Sequence, residues 1–453
     1  MKTCFPLVCR EQERRHLHGP AEVYPLRTAL SRMFPAALLR RLALQTETVR
    51  RRRRVDPVKL FWVVVLELGS GGERSFAALR RSYERVTGQR LSASSFYNRF
   101  TPAFTRFLRE LLTIGLNKLT RCAEGAEAVL GEIRDILCVD STVVRLHDAL
   151  ATCWPACRTN HTLAAVKLHT VLNVRARGPQ SIKITSERVH DGPVLRAGRW
   201  AKGRLLLFDL GYFRYALFAA IAEHGGFFLT RLKGNANPLL LRLHRSYRGR
   251  AVAVEGSRLR DIRSRLQRAV FDAEAEICFQ RRKYAGHRKT AKMRVRIVGL
   301  WDEQRGVYHW YITNLPVEKV KAEEIGKLYA ARWTVELLFR ELKSSYRLES
   351  IPSRKSHVAE AFLYASLLTL LASRALLLAI RRWGALANRR TPTERWARLF
   401  VSAAQDLLAL VLDPAAMART REPHLLQFLL AEAPDPNRKR RLLPERTALK
   451  MAA

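Results

Sequence analysis

Acidic residues are few in this chain beside its basic ones. Asp and Glu number 40 against 81 Lys and Arg, a formal net charge of +41. Such an excess goes far beyond what solubility needs and points to a polyanionic partner, nucleic acid above all, without saying what is done to it. Cysteine is also sparse. The seven (Cys4, Cys9, Cys122, Cys138, Cys153, Cys157 and Cys278) are odd in number and spread over 453 residues, which excludes a disulfide framework and fits a reducing cytoplasm. Near the N-terminus, around Lys2 and Arg10, no apolar stretch is long enough for a signal peptide, so export is not expected. The longest apolar stretch, Ala361 to Ile380, is interrupted by Arg374 and preceded by Glu360, and reads as a buried helix, not a membrane span. Lys233-Gly234-Asn235 lacks the other features of a phosphate-binding loop, so nucleoside triphosphate use is not indicated, and no internal repeat is found.

What is present divides into regions. Residues 1–125 read as a helical DNA-binding region: Phe76, Leu79 and Tyr83 recur near helical spacing, and Ser92-Ala93-Ser94 can cap a short second helix after the Thr87-Gly88-Gln89 break, an arrangement like helix-turn-helix. Beside it, Arg50, Arg51, Arg52, Arg53 and Arg54 form an unbroken basic run suited to phosphate but carrying no sequence information. From Asp135 the pattern turns to short apolar runs. Ile136 to Val139 ends on Asp140; Leu168 to Val174 and Ile182 to Ser186 flank a Gly178-Pro179 turn and predict a hairpin; Leu205 to Phe208 ends on Asp209. A helix over Tyr212 to Glu223 and a strand over Phe227 to Thr230 complete a mixed α/β pattern. Residues 231–316 read as a β-rich insertion, with strands at Ala269 to Phe279, Met293 to Leu300 and Val307 to Thr313. Helices resume at Lys321 to Tyr346, Val358 to Trp383 and Pro392 to Leu412, and a basic tail, Arg438-Lys439-Arg440-Arg441, closes the chain.

Transferring a phosphodiester requires charge neutralisation at the attacking and leaving oxygens, which two Mg²⁺ ions supply when two or three carboxylates from separate elements hold them. Asp140 and Asp209, each at the end of an apolar strand, suit that task, although strand-end turn residues would look the same. The third element is a helix. Counting from Tyr329, the residues Arg332, Glu336 and Lys343 follow at three, seven and fourteen positions. On one continuous helix of 3.6 residues per turn all four fall within about 60° of arc. Glu336 would then bind metal while Arg332 and Lys343 grip phosphates, with Tyr329 and Arg340 on the same helix as further DNA contacts.

The spacing Tyr329-x2-Arg332-x3-Glu336-x6-Lys343 resembles the Tyr-Arg-Glu-Lys signature of bacterial insertion-sequence DDE transposases of the fourth insertion-sequence family, and Asp140-Ser141-Thr142 and Asp209-Leu210-Gly211-Tyr212 resemble its two acidic motifs. The resemblance runs from about Ile136 to Lys343. It implies a ribonuclease H-like mixed-sheet core over residues 130–230 and 317–385, interrupted by the insertion at 231–316, and followed by a helical C-terminal region over 386–453 with its basic tail. It further implies an acidic triad of Asp140, Asp209 and Glu336 working with two Mg²⁺, Mn²⁺ being a substitute. Cut-and-paste transposition on double-stranded DNA follows, some family members passing through a hairpinned DNA end. It also implies a homodimer holding transposon ends and target DNA in a synaptic complex, in a bacterial cytoplasm at the nucleoid, and a base-stacking role for Trp310.

Other readings stand beside it. A non-catalytic or repurposed DNA-binding protein would keep the charge and helices; a nuclease of the same fold would cut without joining. Cys153, Cys157 and His161 recur at intervals of four, yet Pro155 disfavours one helix and only three ligands are visible, so a zinc site is not expected. His190-Asp191 follows a strand and fits either the vicinity of the acidic centre or a surface turn, and His169 reads as a satisfied core histidine.

Overall fold

The computed structural model describes residues 25–50, 55–69, 73–123, 133–157, 162–245, 254–280, 290–351, 353–382, 389–412 and 414–436. Arg51 to Arg54, His161 and the basic tail from Arg438 to Arg441 lie outside the described residues. Helices α1 (Pro25–Met33), α2 (Ala36–Gln45), α3 (Pro57–Leu68), α4 (Phe76–Thr87), α5 (Ala93–Tyr97) and α6 (Pro102–Ala123) come first. Strands β1 (Asp135–Arg145), β2 (Ala165–Asn173) and β3 (Gly178–Ser186) follow. Then come α7 (Asp191–Val194), β4 (Arg204–Phe208), α8 (Tyr215–Glu223), β5 (Phe227–Arg231), β6 (Leu239–Leu243), α9 (Leu259–Ile262), β7 (Val270–Gln280), β8 (Thr290–Asp302) and β9 (Val307–Thr313). The chain returns to helix in α10 (Ala322–Ala330), α11 (Trp333–Ser344), α12 (Ser356–Arg382), α13 (Thr393–Leu412) and α14 (Pro414–Glu432). Two compact units divide the described residues: a helical one within Met1–Cys122, Val144–Val166 and Leu337–Arg440, and a sheet unit within Ala123–Val143 and Lys167–Glu336.

In the helical unit local signals and packing agree. Asp56 caps α3, accepting from the N–H groups of Val58 at 2.7 Å and Lys59 at 3.3 Å, with Pro57 at the first helical position. Ser75 and Ser92 cap α4 and α5, and α4 ends on Gly88, whose φ of 68° is the left-handed conformation glycine adopts without strain. The run from Leu60 to Leu66 is buried all round, and Phe61 and Trp62 meet Phe34 edge to face. The short second helix expected after the Thr87-Gly88-Gln89 break is present as α5, which is capped by Ser92 and buries Phe96. Helix α12 is long and apolar enough to cross a membrane, but 83% of its most apolar window is buried within the protein. Its Arg374 is paired with Glu341, both 1% exposed, so the interior of this unit answers the charge that interrupts the apolar run.

The sheet unit is built on nine strands in the order β3-β2-β1-β4-β5-β9-β8-β7-β6. Strands β1, β4 and β5 run parallel, with Val139 opposite Phe208 and Leu206 opposite Phe228. Leu137, Leu206, Leu207 and Phe208 are 0% exposed, the double-sided burial that makes such strands read as unbroken apolar runs. From β5 the sheet continues antiparallel through β9, β8, β7 and β6. The strands of 231–316 therefore extend the same sheet, Leu229 of β5 pairing with Thr313 of β9. A buried ion pair pins this half: Arg296 Nε and Nη2 donate to the two oxygens of Asp272 at 2.8 and 2.7 Å, and Nη1 donates to the Val320 carbonyl at 2.7 Å.

Candidate active site

Two parallel strands deliver the first two carboxylates. The pairing of β1 with β4 ends at Val139 opposite Phe208, so Asp140 and Asp209 are the next residue of each chain, and the charge of Asp209 reaches the Asp140 carboxyl. Asp140 lies within β1, and the N–H of Ser141 donates to its Oδ1 at 2.8 Å. Asp209 follows β4 directly, opens a short 3-10 turn over Leu210–Tyr212 without capping it, and is exposed.

The third carboxylate arrives differently from the sequence expectation. The helix expected from Lys321 to Tyr346 is broken: α10 stops at Ala330 and α11 starts at Trp333. Between them the N–H of Ala331 bonds to Leu328 O at 3.1 Å, that of Arg332 to Tyr329 O at 3.0 Å and that of Thr334 to Ala331 O at 3.0 Å, a run of three-residue turns. A tertiary clamp holds the break. The thiol of Cys138, two residues before Asp140, lies 3.3 Å from Ala331 O and 3.5 Å from Thr334 Oγ1. Burial pushes that thiol up to about 12, so it stays protonated and inert. The 60° stripe therefore does not describe Tyr329 and Arg332, which precede α11; Glu336 and Lys343 remain on one face of it, two turns apart.

The break turns Arg332 inward. Its Nη2 donates to Glu336 Oε1 at 2.6 Å, and its Nη1 stands 3.3 Å from Asp140 Oδ2. The guanidinium thus bridges two of the three expected carboxylates. Asp140 feels the arrangement: burial raises its carboxyl, Arg332 and the Ser141 N–H lower it, Asp209 and Glu336 raise it again, and it settles at about 6. Among the described residues no three His, Cys, Asp or Glu side chains close around a single point as they stand. Arg332 fills that space between Asp140 and Glu336.

The remaining expected residues are scattered. Tyr329 is 7% exposed and packs on Tyr311 at 5.4 Å, with the guanidiniums of Arg231 and Arg332 each 5.9 Å from its ring. Its hydroxyl faces the carbonyl of Phe208 at 3.5 Å, so it braces the strand end that carries Asp209 and offers little surface. Lys343 is paired with Glu349 at 2.7 Å, and Arg340 is exposed. Arg50 is exposed and paired with Glu47 at 2.9 Å. Trp310 is 7% exposed, against Phe271 at 5.4 Å and Tyr308 at 5.2 Å, and Arg263 covers its ring at 4.9 Å. Its register partner is Gly299, where a Cβ would come within 2.7 Å of the indole. As placed, Trp310 is a core residue whose free face is taken by a cation. Cys153 and Cys157 are exposed and form no disulfide among the described residues. Sequence reasoning missed Cys138 and Ser141 as parts of the surroundings of Asp140, whereas Asp191, read from the sequence as either a neighbour of the acidic centre or a surface turn, is bonded by Ser141.

Residues 131–372 match the family described as "Transposase DDE domain". The chain is 20% identical over 386 residues to the transposase for insertion sequence element IS231F of Bacillus thuringiensis subsp. israelensis, covering 77% of this chain and 79% of that protein. It is 24% identical over 271 residues to the putative transposase y4zB of Sinorhizobium fredii, covering 59% of this chain and 67% of that one. Among solved structures, the piggyBac transposase synaptic complex with hairpin DNA superposes with a TM-score of 0.46 at 10% identity, over 92% of this chain and 87% of that one.

Proposed function

Because the chain belongs to the DDE-domain transposase family, we propose that Asp140, Asp209 and Glu336 are the three carboxylates of its catalytic centre. The protein is a DNA transposase of the bacterial insertion-sequence type, an enzyme that cleaves DNA and transfers strands. The finer reading is cut-and-paste transposition on a ribonuclease H-like core, in the subgroup marked by the Tyr-Arg-Glu-Lys signature. The observation that supports it is that Asp140, within β1, feels the charges of Asp209, just past the neighbouring strand β4, and of Glu336, and that one guanidinium joins Asp140 to Glu336.

Transposases of this family work with divalent metal ions; Mg²⁺, two per site, is the proposed cofactor, with Mn²⁺ as its substitute. The residues fit such ions. All three donors are hard carboxylate oxygens, the carboxyl of Asp140 is raised in part by Asp209 and Glu336, and a cationic side chain already lies between two of them. When bound, two such ions neutralise the attacking and leaving oxygens of a phosphodiester. Asp140 would present its oxygens from within β1, Asp209 from the turn that follows β4 and Glu336 from the first turn of α11. Arg332, released from its two carboxylates, turns to a phosphate oxygen with the planar fork that suits it. Tyr329 holds Arg332 and the end of β4, and Lys343 and Arg340 take the backbone further along α11. Arg50, with Arg51, Arg52, Arg53 and Arg54, adds contacts blind to sequence. The partners are double-stranded DNA, as transposon ends and target, and a second copy of the chain in a synaptic homodimer acting at the nucleoid.

The test is a cleavage and strand-transfer assay on duplex copied from the DNA flanking the coding sequence. Glu336→Gln should abolish Mg²⁺-dependent cleavage and leave end binding nearly intact; a variant that still cuts overturns the assignment. Nicking without joined products would make the parent protein a nuclease, and binding without nicking a non-catalytic DNA-binding protein.

A further inference from the structure

Behind Asp140 lies a second polar cluster that the three carboxylates do not explain. Ser141 Oγ donates to Asp191 Oδ1 at 2.7 Å. The same oxygen lies 3.2 Å from Nδ1 of His169, which is 5% exposed, and 3.6 Å from Nζ of Lys167. Both basic residues are fixed elsewhere as well: Lys167 donates to Val189 O at 3.0 Å, and His169 Nε2 is 2.9 Å from Thr185 Oγ1. Lys167 and His169 stand two apart on β2, hence on one face, and Asp191 reaches them from the start of α7. Its other oxygen faces the loop of Asp209, since a Cβ at Gly211 would lie 3.7 Å from Oδ2. The buried Tyr212 hydroxyl is raised by burial first and then by the charges of Asp191 and Asp140, against the lowering effect of the neighbouring Ser141 hydroxyl.

These contacts make a connected path to the reacting centre. Burial works against an ionised Asp191, but His169, Ser141 and Lys167 outweigh it and hold the carboxyl at about 2, a fixed anion at any working pH. The anion anchors the side chain of Ser141, and the backbone N–H of Ser141 binds Oδ1 of Asp140 at 2.8 Å, leaving Oδ2 toward Arg332. Oδ1 of Asp191 is bonded by Ser141, with His169 Nδ1 and Lys167 Nζ beside it.

We propose that Asp191 is a positioning residue for the transposition reaction, fixed by Lys167 and His169 and acting through Ser141 to aim the carboxylate of Asp140. The inference rests on Asp140 being catalytic. Partners that orient a metal-binding carboxylate change affinity or activity by about 10–100-fold when removed. In the full chain, Asp191→Asn and Ser141→Ala should each lower the rate of end cleavage by at least about tenfold, leave KM for end duplex within about twofold, and weaken Mn²⁺ binding to DNA-free protein by about tenfold. Ser141→Thr, which restores the hydroxyl, should recover most of the rate. The double variant should fall no further than the worse single one, because both cut the same link. Parental rates in either single variant, or losses that multiply in the double, overturn the proposal. If Asp191→Asn fails to fold, the Ser141→Ala and Ser141→Thr pair decides. Asp140→Asn separates the two levels: if it still cleaves, the catalytic reading fails; if it is inactive while Ser141→Ala cleaves normally, only this inference does.

Discussion

Arg332 and Glu336 are joined at 2.6 Å, four residues apart, across the point where one expected helix becomes two. A regular helix would also bring such a pair together. The break adds the reach of Arg332 to Asp140 on β1, and so places a cation where the proposed metal ions have to bind.

Replacing Arg332 should therefore have opposite effects on two measurements. Arg332→Ala removes a competitor for Asp140 and Glu336, so DNA-free protein should bind Mn²⁺ more tightly in calorimetry. The same variant loses a phosphate contact in the transition state, and cleavage should fall about a hundredfold, the usual cost of one preorganised donor. A variant in which metal binding weakens would remove Arg332 from its role as resident counter-ion.

Acid should oppose metal binding within an ordinary working range. Burial, with help from Asp209 and Glu336, lifts Asp140 to about 6. A raised carboxyl is protonated below that value and ionised above it, and a ligand must be ionised to bind metal. Mn²⁺ affinity should thus climb as pH rises toward 6 and level off beyond it. For the metal-free protein the sign is reversed: stability contributed by protonated Asp140 is full below the usual carboxylate range and is lost as pH rises through 6. Asp140→Asn should flatten both profiles, and a Mn²⁺ titration unchanged between pH 5 and 7 would contradict the raised carboxyl.

The two aspartates were legible because strands buried on both faces leave runs such as Leu205 to Phe208, and an acid closing such a run stands out. Glu336 was legible from spacing. The broken helix was not, since no Pro or Gly lies between Leu328 and Glu336 and the break is held from outside by Cys138, almost two hundred residues away. The short strand β6, the pairing of β9 with β5 and the Ser141–Asp191 contact, with |i−j| of 50, are equally nonlocal. Local pattern names the residues in such contacts but not their partners. The burial of Tyr329, 7% exposed, depends on such partners, Tyr311 among them.

The Arg296–Asp272 pair should dominate the stability of the extended half of the sheet. Both side chains are buried, at 4% and 5% exposed, and their two bonds satisfy one another. Asp272→Ala leaves a buried guanidinium without its counter-charge, a loss of about 3–5 kcal/mol, whereas replacing both partners with apolar residues of similar volume costs far less. Calorimetric melting compares the two variants directly. A single variant no less stable than the double would show that the pair is not a mutual dependence.

A net charge of +41 predicts DNA affinity that depends steeply on salt. Each phosphate neutralised releases counter-ions, so six to ten contacts would cost roughly 10³–10⁵ in affinity between 50 and 200 mM salt. Fluorescence anisotropy on end duplex and on unrelated duplex gives both slopes. Arginines that touch only phosphate predict equal slopes for the two; a flat dependence would mean that the basic excess lies away from the DNA.

Trp310 offers the sharpest contrast between core and contact. The indole fits the gap left by Gly299 and is sandwiched with Phe271, Tyr308 and Arg263, so Trp310→Ala should open a cavity and cost about 3–5 kcal/mol in the absence of DNA. A residue kept only to stack on an extruded base would show the reverse: unchanged melting and slower cleavage. Arg263→Ala separates the two cases further. It uncovers one face of the ring without disturbing Phe271 or Tyr308, so if a base is ever received there, cleavage should be faster or unchanged in that variant. If Trp310 serves the core alone, the only consequence should be a small loss of stability from the missing cation–ring contact, about 0.5–1 kcal/mol.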